Sequence, residues 1–440
     1  MITFAASDDR PRLVLAAGLR TPMARAGGAF AKEDAGHLGS LVAREMLARA
    51  GVDPAELDEV VAGCAGPPFD QANIARVIAL RAGIPQPIPA RTVARNCASG
   101  IEAVTSAASN ILAGMGDTYL CLGVEVMSSY PLIFGQKMTD LFADLMKARS
   151  MGQRLSTLAR FRPSFLKPRI ALMEGLTDPT TGLIMGRTAE LLVRDFGLTR
   201  EECDAFALLS HRRAREARDR GRFEREILPV MPLGAKKGAS SLRTDDGIRD
   251  DMAPEKLAKL KPYFEKPDGI VTVGNSCGIT DAAAGLILTT DKRAAELGLK
   301  PMAAIRSFAW AGLDPSRMGL GPVFSSNLAL KAAGAELSDM GAVELNEAFA
   351  AQVLACGKAF ASAGFAKKHL DRDTAVGELD PAKLNINGGA IALGHPVGMT
   401  GTRLLLTLAH ELQASDSELG LATLCIGGGQ GGAVVLERLS

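Results

Sequence analysis

The sequence predicts an α/β fold of two similar βα halves with an inserted loop domain. Short apolar runs of strand length alternate with helical patterns along the 440 residues. The second observation is an internal repeat, because each half contains a strand, a segment of small residues, a long helical pattern and a further strand. The third is a basic stretch, 131–174, that interrupts this order. Together these observations favour a layered α/β architecture.

Eight apolar runs have the length expected of strands. They are Leu13–Ala17, Val60–Gly63, Tyr119–Val124, Val271–Gly274, Leu286–Thr289, Ala342–Leu345, Leu421–Cys425 and Ala433–Leu436. Helical patterns lie between them, and one is predicted to span Arg200–Arg220. It begins with the capping box Thr199-x-x-Glu202 and ends at Gly221.

The repeat places Cys97 and His395 at equivalent helix starts. In the first half a long helical pattern follows Cys97 and leads to the strand that contains Cys121. In the second half a long helical pattern follows His395 and leads to the strand that ends at Cys425. The spacings differ, 24 residues in the first half and 30 in the second, so the repeat is approximate.

The inserted stretch, 131–174, is a basic amphipathic segment. It contains eight basic and three acidic residues, a net charge of +5. Its apolar residues recur at helical spacing, namely Met138, Leu141, Phe142, Leu145, Leu155, Leu158 and Phe161. Such a segment is typical of a docking surface for a partner subunit or an anionic membrane. The alternative is that its apolar face covers the mouth of this protein's own active site.

Composition excludes several classes of protein. Fifty basic and 49 acidic residues give a net charge of +1, which argues against nucleic-acid binding. The seven cysteines are odd in number and form no C-x-x-C pair, which argues against a disulfide framework and a zinc site. The start, Met1–Pro11, is polar and does not resemble a signal peptide. No run reaches the ~18 apolar residues of a spanning helix. We therefore expect a soluble, cytoplasmic protein without a bound metal.

Cys97 is the first candidate for chemistry. It lies among small residues directly before a helical pattern, 101–113. The positive end of a helix dipole lowers the pKa of a thiol and favours the nucleophilic thiolate. The alternative is a buried structural cysteine.

His395 and Cys425 are further candidates. His395 is flanked by glycines and a proline, which predicts an imidazole unshielded by its neighbours and free to accept a thiol proton. The alternative is a turn histidine bonded to the backbone. Cys425 precedes a glycine-rich loop, 427–432, whose N–H groups could bind an oxyanion. The alternative is a tight loop before the last strand, with Cys425 in the strand core.

A polar pair, Asn346 and Glu347, ends an apolar strand, where α/β proteins place site residues. The alternative for Glu347 is that it caps the following helix.

Together these segments resemble the thiolase family. The resemblance rests on N-C-A-S-G at 96–100, N-E-A-F at 346–349, G-G-A-I-A-L-G-H-P-V-G at 388–398 and C-I-G-G-G-Q-G at 425–431, in the family's order. It extends from about Leu13 to Leu436. It implies a thiolase fold, layered αβαβα, with an inserted loop domain. The expected domains are 1–130 together with 265–291, an insertion at 131–264, and 292–440.

The resemblance also implies residue roles. Cys97 matches the nucleophile that carries the acyl group, and His395 matches the base that activates it. Cys425 matches the second acid/base, which acts on the α-carbon of acetyl-CoA. Asn346 matches the residue that holds a water in one oxyanion hole with His395, and the N–H groups of Cys97 and Gly427 match the other. The implied reaction is ping-pong cleavage of 3-ketoacyl-CoA, with coenzyme A as co-substrate and no permanently bound cofactor.

Residues implied to contact substrate or CoA are Met185, Phe264, Ser276, Cys277, Met318 and Phe349. Two positions depart from the family. Cys277 stands where many relatives have Ser, which puts one CoA contact in doubt. Ile184 stands where short-chain biosynthetic members have the His that holds the pantetheine arm.

With the basic insertion, the Ile184 departure favours the fatty-acid-oxidation branch. The partners this implies are acyl-CoA, CoA, a second copy in a homodimer or dimer of dimers, and a hydratase/dehydrogenase subunit. The alternatives are a short-chain acetoacetyl-CoA thiolase and a thiolase-like lipid carrier or scaffold. A 3-ketoacyl carrier-protein synthase is disfavoured, because N-E-A-F stands where its second histidine is expected.

Overall fold

The computed structural model describes residues 2–3 and 11–439. The stretch Met1–Pro11, predicted not to be a signal peptide, lies almost wholly outside these residues. The strands are β1 Ile2–Thr3, β2 Leu13–Arg20, β3 Ala24–Arg25, β4 Glu59–Gly63, β5 Ala90–Val93, β6 Thr118–Val126, β7 Leu132–Phe134, β8 Pro168–Ile170, β9 Thr280–Thr290, β10 Ala303–Gly312, β11 Met340–Leu345, β12 Leu419–Ile426 and β13 Gln430–Arg438.

The helices alternate with these strands. They are α1 Ala35–Ala50, α2 Ile74–Arg81, α3 Ser99–Leu112, α4 Gln136–Lys147, α5 Met151–Leu158, α6 Ala171–Gly175, α7 Met185–Phe196, α8 Arg200–Asp219, α9 Pro254–Ala258, α10 Asp291–Glu296, α11 Gly321–Ala333, α12 Ala350–Phe360, α13 Ala363–His369, α14 Ala390–Leu393 and α15 Val397–Ser415.

Strand order confirms the two similar halves. The large sheet runs β5-β4-β6-β9-β2-β10-β13-β12-β11, and the halves meet where β2 pairs with β10. In the first half the parallel pair β4·β6 is followed by antiparallel β9 and β2. In the second half the parallel pair β11·β12 is followed by antiparallel β13 and β10. The same pattern therefore occurs on both sides of the centre.

The layers follow from the helix contacts. Helices α3 and α15 pack against each other, and α15 contacts β6 of the first half as well as β11 and β12 of the second. Helices α1 and α2 cover the outer side of the first half, and α11 covers that of the second. The predicted α/β fold is confirmed, with two central helices between the halves.

Glycines bring the two central helices close together. A Cβ on Gly100 would lie 2.6 Å from the Thr402 nitrogen, and one on Gly401 would lie 2.5 Å from the Ile101 nitrogen. Both contacts involve backbone, which cannot move aside cheaply. Larger residues would therefore separate α3 from α15 and, with them, the segments that precede each helix.

Seven of the eight predicted strands lie within observed strands, and the prediction for Val271–Gly274 is wrong. That stretch is a turn, in which the Asn275 side chain accepts a hydrogen bond from the Thr272 N–H at 2.8 Å. Strands β1, β3, β5, β7, β8 and β10 were not predicted. Helix α8 has the predicted capping box, and Gly221 follows it with a left-handed φ of 73°.

The segment 131–174 contains the antiparallel strand pair β7·β8, with α4 and α5 between the two strands in the chain. Met138 and Leu141 of its apolar stripe are buried, whereas Phe142, Leu155 and Leu158 are exposed. The domain boundaries stay a prediction. In the described part of the chain, no helix is long and apolar enough to cross a membrane, and no group of acidic, His or Cys side chains could hold a metal ion.

Candidate active site

A cavity of about 760 Å³ opens beside Cys97. Asn96, Met185 and Gly427 line it next to this cysteine. The rest of its wall comes from the loop after β4, from the end of β6 and from the end of the inserted segment. That wall includes Ala65, Gly66, Phe69, Tyr130, Pro131, Leu172, Leu176 and Val397. Cys97 is the one cysteine among the described residues that line this cavity.

Cys97 lies in a 3-10 turn, Asn96–Ala98, directly before α3. Burial raises the pKa of its thiol, while the backbone N–H groups of Gly427 and of Cys97 itself lower it and the charge of Glu125 raises it again. The net pKa is raised, so the expectation of a lowered pKa at the helix start is wrong. Loss of water around the sulfur outweighs the helix and its N–H groups. A thiol held in this form needs a base.

His395 directly precedes α15 and is 6% exposed, so the expectation of an unshielded imidazole is wrong. Its Nδ1 lies 2.6 Å from the Thr400 hydroxyl, which donates its one proton to the Pro396 carbonyl at 2.9 Å. Nδ1 therefore carries the ring proton, and Nε2 presents a lone pair. Burial, and then the charge of Arg403, lower the pKa of His395 to about 4. The imidazole is neutral at neutral pH, as a general base must be.

Asn346 follows β11, and its backbone N–H donates to the Thr423 carbonyl of neighbouring β12 at 3.0 Å. Its side chain is fully buried. Neither the oxygen nor the nitrogen of its amide has a partner among the described residues. Buried amides are normally hydrogen-bonded, so this one is available for a bound group.

Cys425 lies near the end of β12 and is buried. Burial, together with the neighbouring thiols Cys97, Cys356 and Cys277, raises its pKa well above the ordinary value. Cys425 is therefore protonated at neutral pH and can act as an acid. Cys277, predicted as a substrate or CoA contact, is a third thiol beside it, and burial with the charge of Cys97 raises its pKa to about 12.

The glycine-rich loop is the hairpin turn between β12 and β13, and Cys425 lies in the strand just before it. Cys425 is nevertheless close enough to Cys97 for the two thiols to interact. Gly428 and Gly429 have φ values of 90° and 78°, which glycine adopts without strain. The Asn96 side chain donates to the Gly427 carbonyl at 2.9 Å. The Gly427 N–H itself bonds the Cys97 sulfur.

Predicted contact residues lie in two places. Met185 lines the cavity, and its sulfur would be 3.2 Å from a Cβ on Gly427. Phe264 and Phe349 pack edge to face, with ring centroids 5.9 Å apart. Met318 is buried in the hydrophobic core around Val323. Their contacts with CoA stay a prediction.

Ser276 and Cys277 lie beside the N-E-A-F segment. Ser276 forms a backbone bridge with Phe349, and the Cys277 N–H donates to the Ala348 carbonyl at 3.0 Å. The Ser276 hydroxyl donates to the Thr272 carbonyl at 2.6 Å, so its lone pairs alone are free.

Glu347 does not cap α12, as one interpretation of the sequence held. Its buried carboxylate accepts hydrogen bonds from the Ser210 hydroxyl at 2.6 Å, the Asn385 amide at 2.8 Å and the Ile391 N–H at 3.2 Å. It thereby fixes the loop that leads to His395 and supports the site without facing the cavity.

Three further residues of the site, Thr400, Arg403 and Glu125, were not predicted from the sequence. Thr400 orients His395, and Arg403 pairs with the buried Glu344 at 2.7 Å behind it. Glu125 lies in an apolar strand, β6, and a charged residue in such a strand was the signal that could have revealed it.

A thiol held by backbone N–H groups, a neutral imidazole and a second thiol are the groups that covalent acyl transfer uses. Residues 13–292 match the family described as "Thiolase, N-terminal domain", and residues 299–438 match "Thiolase, C-terminal domain". The chain belongs to the thiolase family.

Relatives named for two different activities are similar to this chain over nearly its whole length. A 3-ketoacyl-CoA thiolase of Pectobacterium carotovorum is 38% identical over 427 residues, covering 97% of this chain and 96% of the relative. An acetyl-CoA acetyltransferase of Syntrophomonas wolfei is 40% identical over 432 residues, covering 97% and 99%. The human mitochondrial 3-ketoacyl-CoA thiolase in complex with CoA has a TM-score of 0.83 at 34% identity, covering 98% of each chain.

Proposed function

We propose that the chain is an acetyl-CoA C-acyltransferase that cleaves 3-ketoacyl-CoA with CoA, in fatty-acid β-oxidation. The observation that carries this proposal is the position of Cys97 on the cavity wall, in a turn that packs against α15. Directly before α15 lies a neutral His395, whose Nε2 has no hydrogen-bond partner among the described residues. The CoA-bound human relative supports CoA as the co-substrate, and no permanently bound cofactor is needed.

In the proposed reaction, His395 Nε2 takes the Cys97 proton, and the sulfur attacks the 3-keto carbon. The N–H groups of Cys97 and Gly427 stabilise the oxyanion that forms there. The carbon–carbon bond then breaks, and the protonated Cys425 gives its proton to the departing acetyl-CoA enolate. Asn346 and His395 stabilise that enolate. Free CoA then gives its thiol proton to the Cys425 thiolate, and its sulfur attacks the acyl carbonyl. The bond to Cys97 breaks, and the Cys97 thiolate recovers its proton from the His395 imidazolium, which completes a ping-pong cycle.

The test is mass spectrometry of the protein after brief mixing with 3-ketoacyl-CoA without free CoA. An acyl group on Cys97 is expected, and release of acetyl-CoA should match it. Absence of the acyl group from Cys97, with normal turnover, would contradict the proposal.

The second candidate is a short-chain biosynthetic thiolase, which the name of the Syntrophomonas relative favours. Ile184 weighs against it, since short-chain members have His there. The rate of cleavage along a series of acyl lengths separates the two. A maximum at medium or long chains supports β-oxidation, and activity confined to acetoacetyl-CoA supports the alternative. A lipid carrier or scaffold, the third candidate, would leave Cys97 unacylated.

We also propose a cytoplasmic homodimer, or dimer of dimers, whose inserted segment docks a hydratase/dehydrogenase subunit or an anionic membrane. The base of the segment lines the cavity, which fits the idea of a tunnel wall. Its tip exposes a set of large apolar side chains: Phe142, Met146, Met151, Leu155, Leu158, Phe161 and Leu166.

Charge reversal tests this docking. Arg160 is paired with Asp144 at 2.8 Å, and Arg154 and Arg162 stand beside it on the exposed tip. Changing all three arginines to Glu should weaken sedimentation with anionic vesicles or co-purification with the partner subunit. Either association should also fade in 1 M salt, where screening acts over ~3 Å. If wild type associates with neither at low salt, the segment is a tunnel wall only.

A further inference from the structure

Glu125 is a buried carboxylate beside the site that no step above uses. It lies near the end of β6 and is fully buried. Its Oε2 accepts hydrogen bonds from the backbone N–H groups of Ala65 and Gly398, both at 2.9 Å. Its Oε1 accepts from the Gly66 N–H at 3.1 Å and the Tyr130 hydroxyl at 2.9 Å. The Cys64 thiol also donates weakly to Oε1 at 3.6 Å, so the carboxylate only accepts hydrogen bonds, which is the pattern of an ionised carboxylate. Burial raises the pKa of Glu125 above its ordinary value, and the hydrogen bonds offset part of this rise.

The three backbone N–H donors and the tyrosine hydroxyl come from the walls of the site. Ala65, Gly66 and Tyr130 line the cavity that reaches Cys97. Gly398 is the second residue of α15, so its N–H lies three residues after His395.

The N-cap residue of α15, Pro396, supplies no side-chain cap. Glu125 therefore caps this helix from another part of the chain, where a negative charge is favourable. The fit is close, because a Cβ on Gly398 would lie 2.7 Å from the Glu125 oxygen.

We propose that Glu125 is a positioning residue, whose carboxylate holds the start of α15 against the cavity wall and so aligns His395 with Cys97. This inference rests on the proposed function. Helix α15 packs against the turn that carries Cys97, so a shift of its first turn changes the relation between base and nucleophile.

The charge of Glu125 also acts on the nucleophile. The titratable groups around it are Cys64, whose sulfur lies 3.6 Å from Oε1, Tyr130 and Cys97. No Lys or Arg pairs with it within the described part of the chain. Burial first, and then this unpaired charge, raise the pKa of Cys97. The thiol therefore keeps its proton until His395 takes it.

The test compares Glu125→Gln with Glu125→Asp. Gln keeps the shape but removes the charge, and its NH₂ group faces backbone N–H groups that need an acceptor. We expect turnover to fall roughly 10²-fold, the cost of a misplaced catalytic group. The pH midpoint of Cys97 alkylation by iodoacetamide should move to lower pH. Asp keeps the charge but is one methylene shorter, so turnover should fall while the midpoint stays.

Glu190→Gln is the matched control. Glu190 is also buried and accepts backbone N–H bonds, from Ile270 at 3.2 Å and Val271 at 2.9 Å. Its loss should lower the melting temperature and leave the alkylation midpoint unchanged.

The Asp variant keeps the inference testable if the Gln variant does not fold. Wild-type turnover in either folded variant overturns the inference, and so does an unshifted midpoint in the Gln variant. Failure of the wild type to cleave 3-ketoacyl-CoA would instead contradict the proposed function. The alkylation profile is measured without substrate, so it tests the role of Glu125 separately from that function.

Discussion

Replacing Thr400 by Val tests whether one hydrogen bond sets the tautomer of His395. The Thr400 hydroxyl lies 2.6 Å from His395 Nδ1 and donates to the Pro396 carbonyl, so it can only accept from Nδ1–H. Valine has nearly the same shape but cannot accept. In this variant the tautomer with the ring proton on Nε2 becomes the more stable one. A proton on Nε2 prevents His395 from accepting the Cys97 proton.

The magnitude follows from burial of the ring. A buried donor left without a partner costs about 1–3 kcal/mol. Since 1.4 kcal/mol is a factor of ten, the active tautomer and the rate should fall by roughly 5- to 150-fold. His395→Ala sets the limit, a loss of roughly 10²–10⁴ for a positioned base.

The assay is single-turnover acylation of Cys97 at pH 7. Thr400→Ser is the matched control, because it keeps the hydroxyl and both hydrogen bonds and should acylate close to the wild-type rate. Melting temperatures show whether the variants remain folded. If Thr400→Val is folded and acylates as fast as wild type, the assignment of the tautomer is refuted.

Four further predictions address the other groups. Cys97→Ser should abolish turnover, because a hydroxyl is a far poorer nucleophile, and retention of about a tenth of the rate would contradict a covalent intermediate. Cys425→Ala should block exchange of the α-protons of acetyl-CoA in deuterated water while Cys97 still accepts an acyl group, and normal exchange would remove Cys425 from this role. Asn346→Ala should cost roughly 10²–10³ in rate, whereas a loss below about threefold would favour a packing role. The folded pKa of His395, about 4, lies below the unfolded 6.5, so the unfolded chain takes up the proton first as pH falls. Urea unfolding should therefore show roughly 3 kcal/mol lost between these pH values, and His395→Gln should reduce that slope.

Local pattern predicted much of the fold. Alternating apolar runs identified seven of the strands, and the capping box and Gly221 identified the start and end of α8. Such signals lie within a few residues of each other, so they can be read from the chain. Strand β10 was missed although its residues, Ala303–Gly312, lie at the centre of the sheet. Its sequence contains Arg306 as well as a serine and a glycine, which interrupt the apolar pattern. It forms a strand because β13 and β2 pair with it.

The apolar run Val271–Gly274 shows the opposite error. Its composition predicts a strand, but the Asn275 amide bonds the Thr272 N–H and the Ile270 carbonyl and closes a turn. The Glu190 carboxylate also accepts the Val271 N–H. Side chains from elsewhere thus take the backbone groups that a strand would have used.

The sequence by itself determined the family, and it identified the candidate reacting residues and their order along the chain: Cys97 before one helix, His395 before another and Cys425 before a glycine turn. These features depend on covalent order and on local backbone preference. Protonation was decided by the tertiary structure. Burial raises the pKa of Cys97, against what its position at a helix start predicted. Burial also lowers the pKa of His395 to about 4, which keeps the ring neutral although it is not exposed as its glycine neighbours suggested. Solvation and charge depend on what surrounds a group in space, and Glu125, Thr400 and Arg403 reach the site only after the chain has folded.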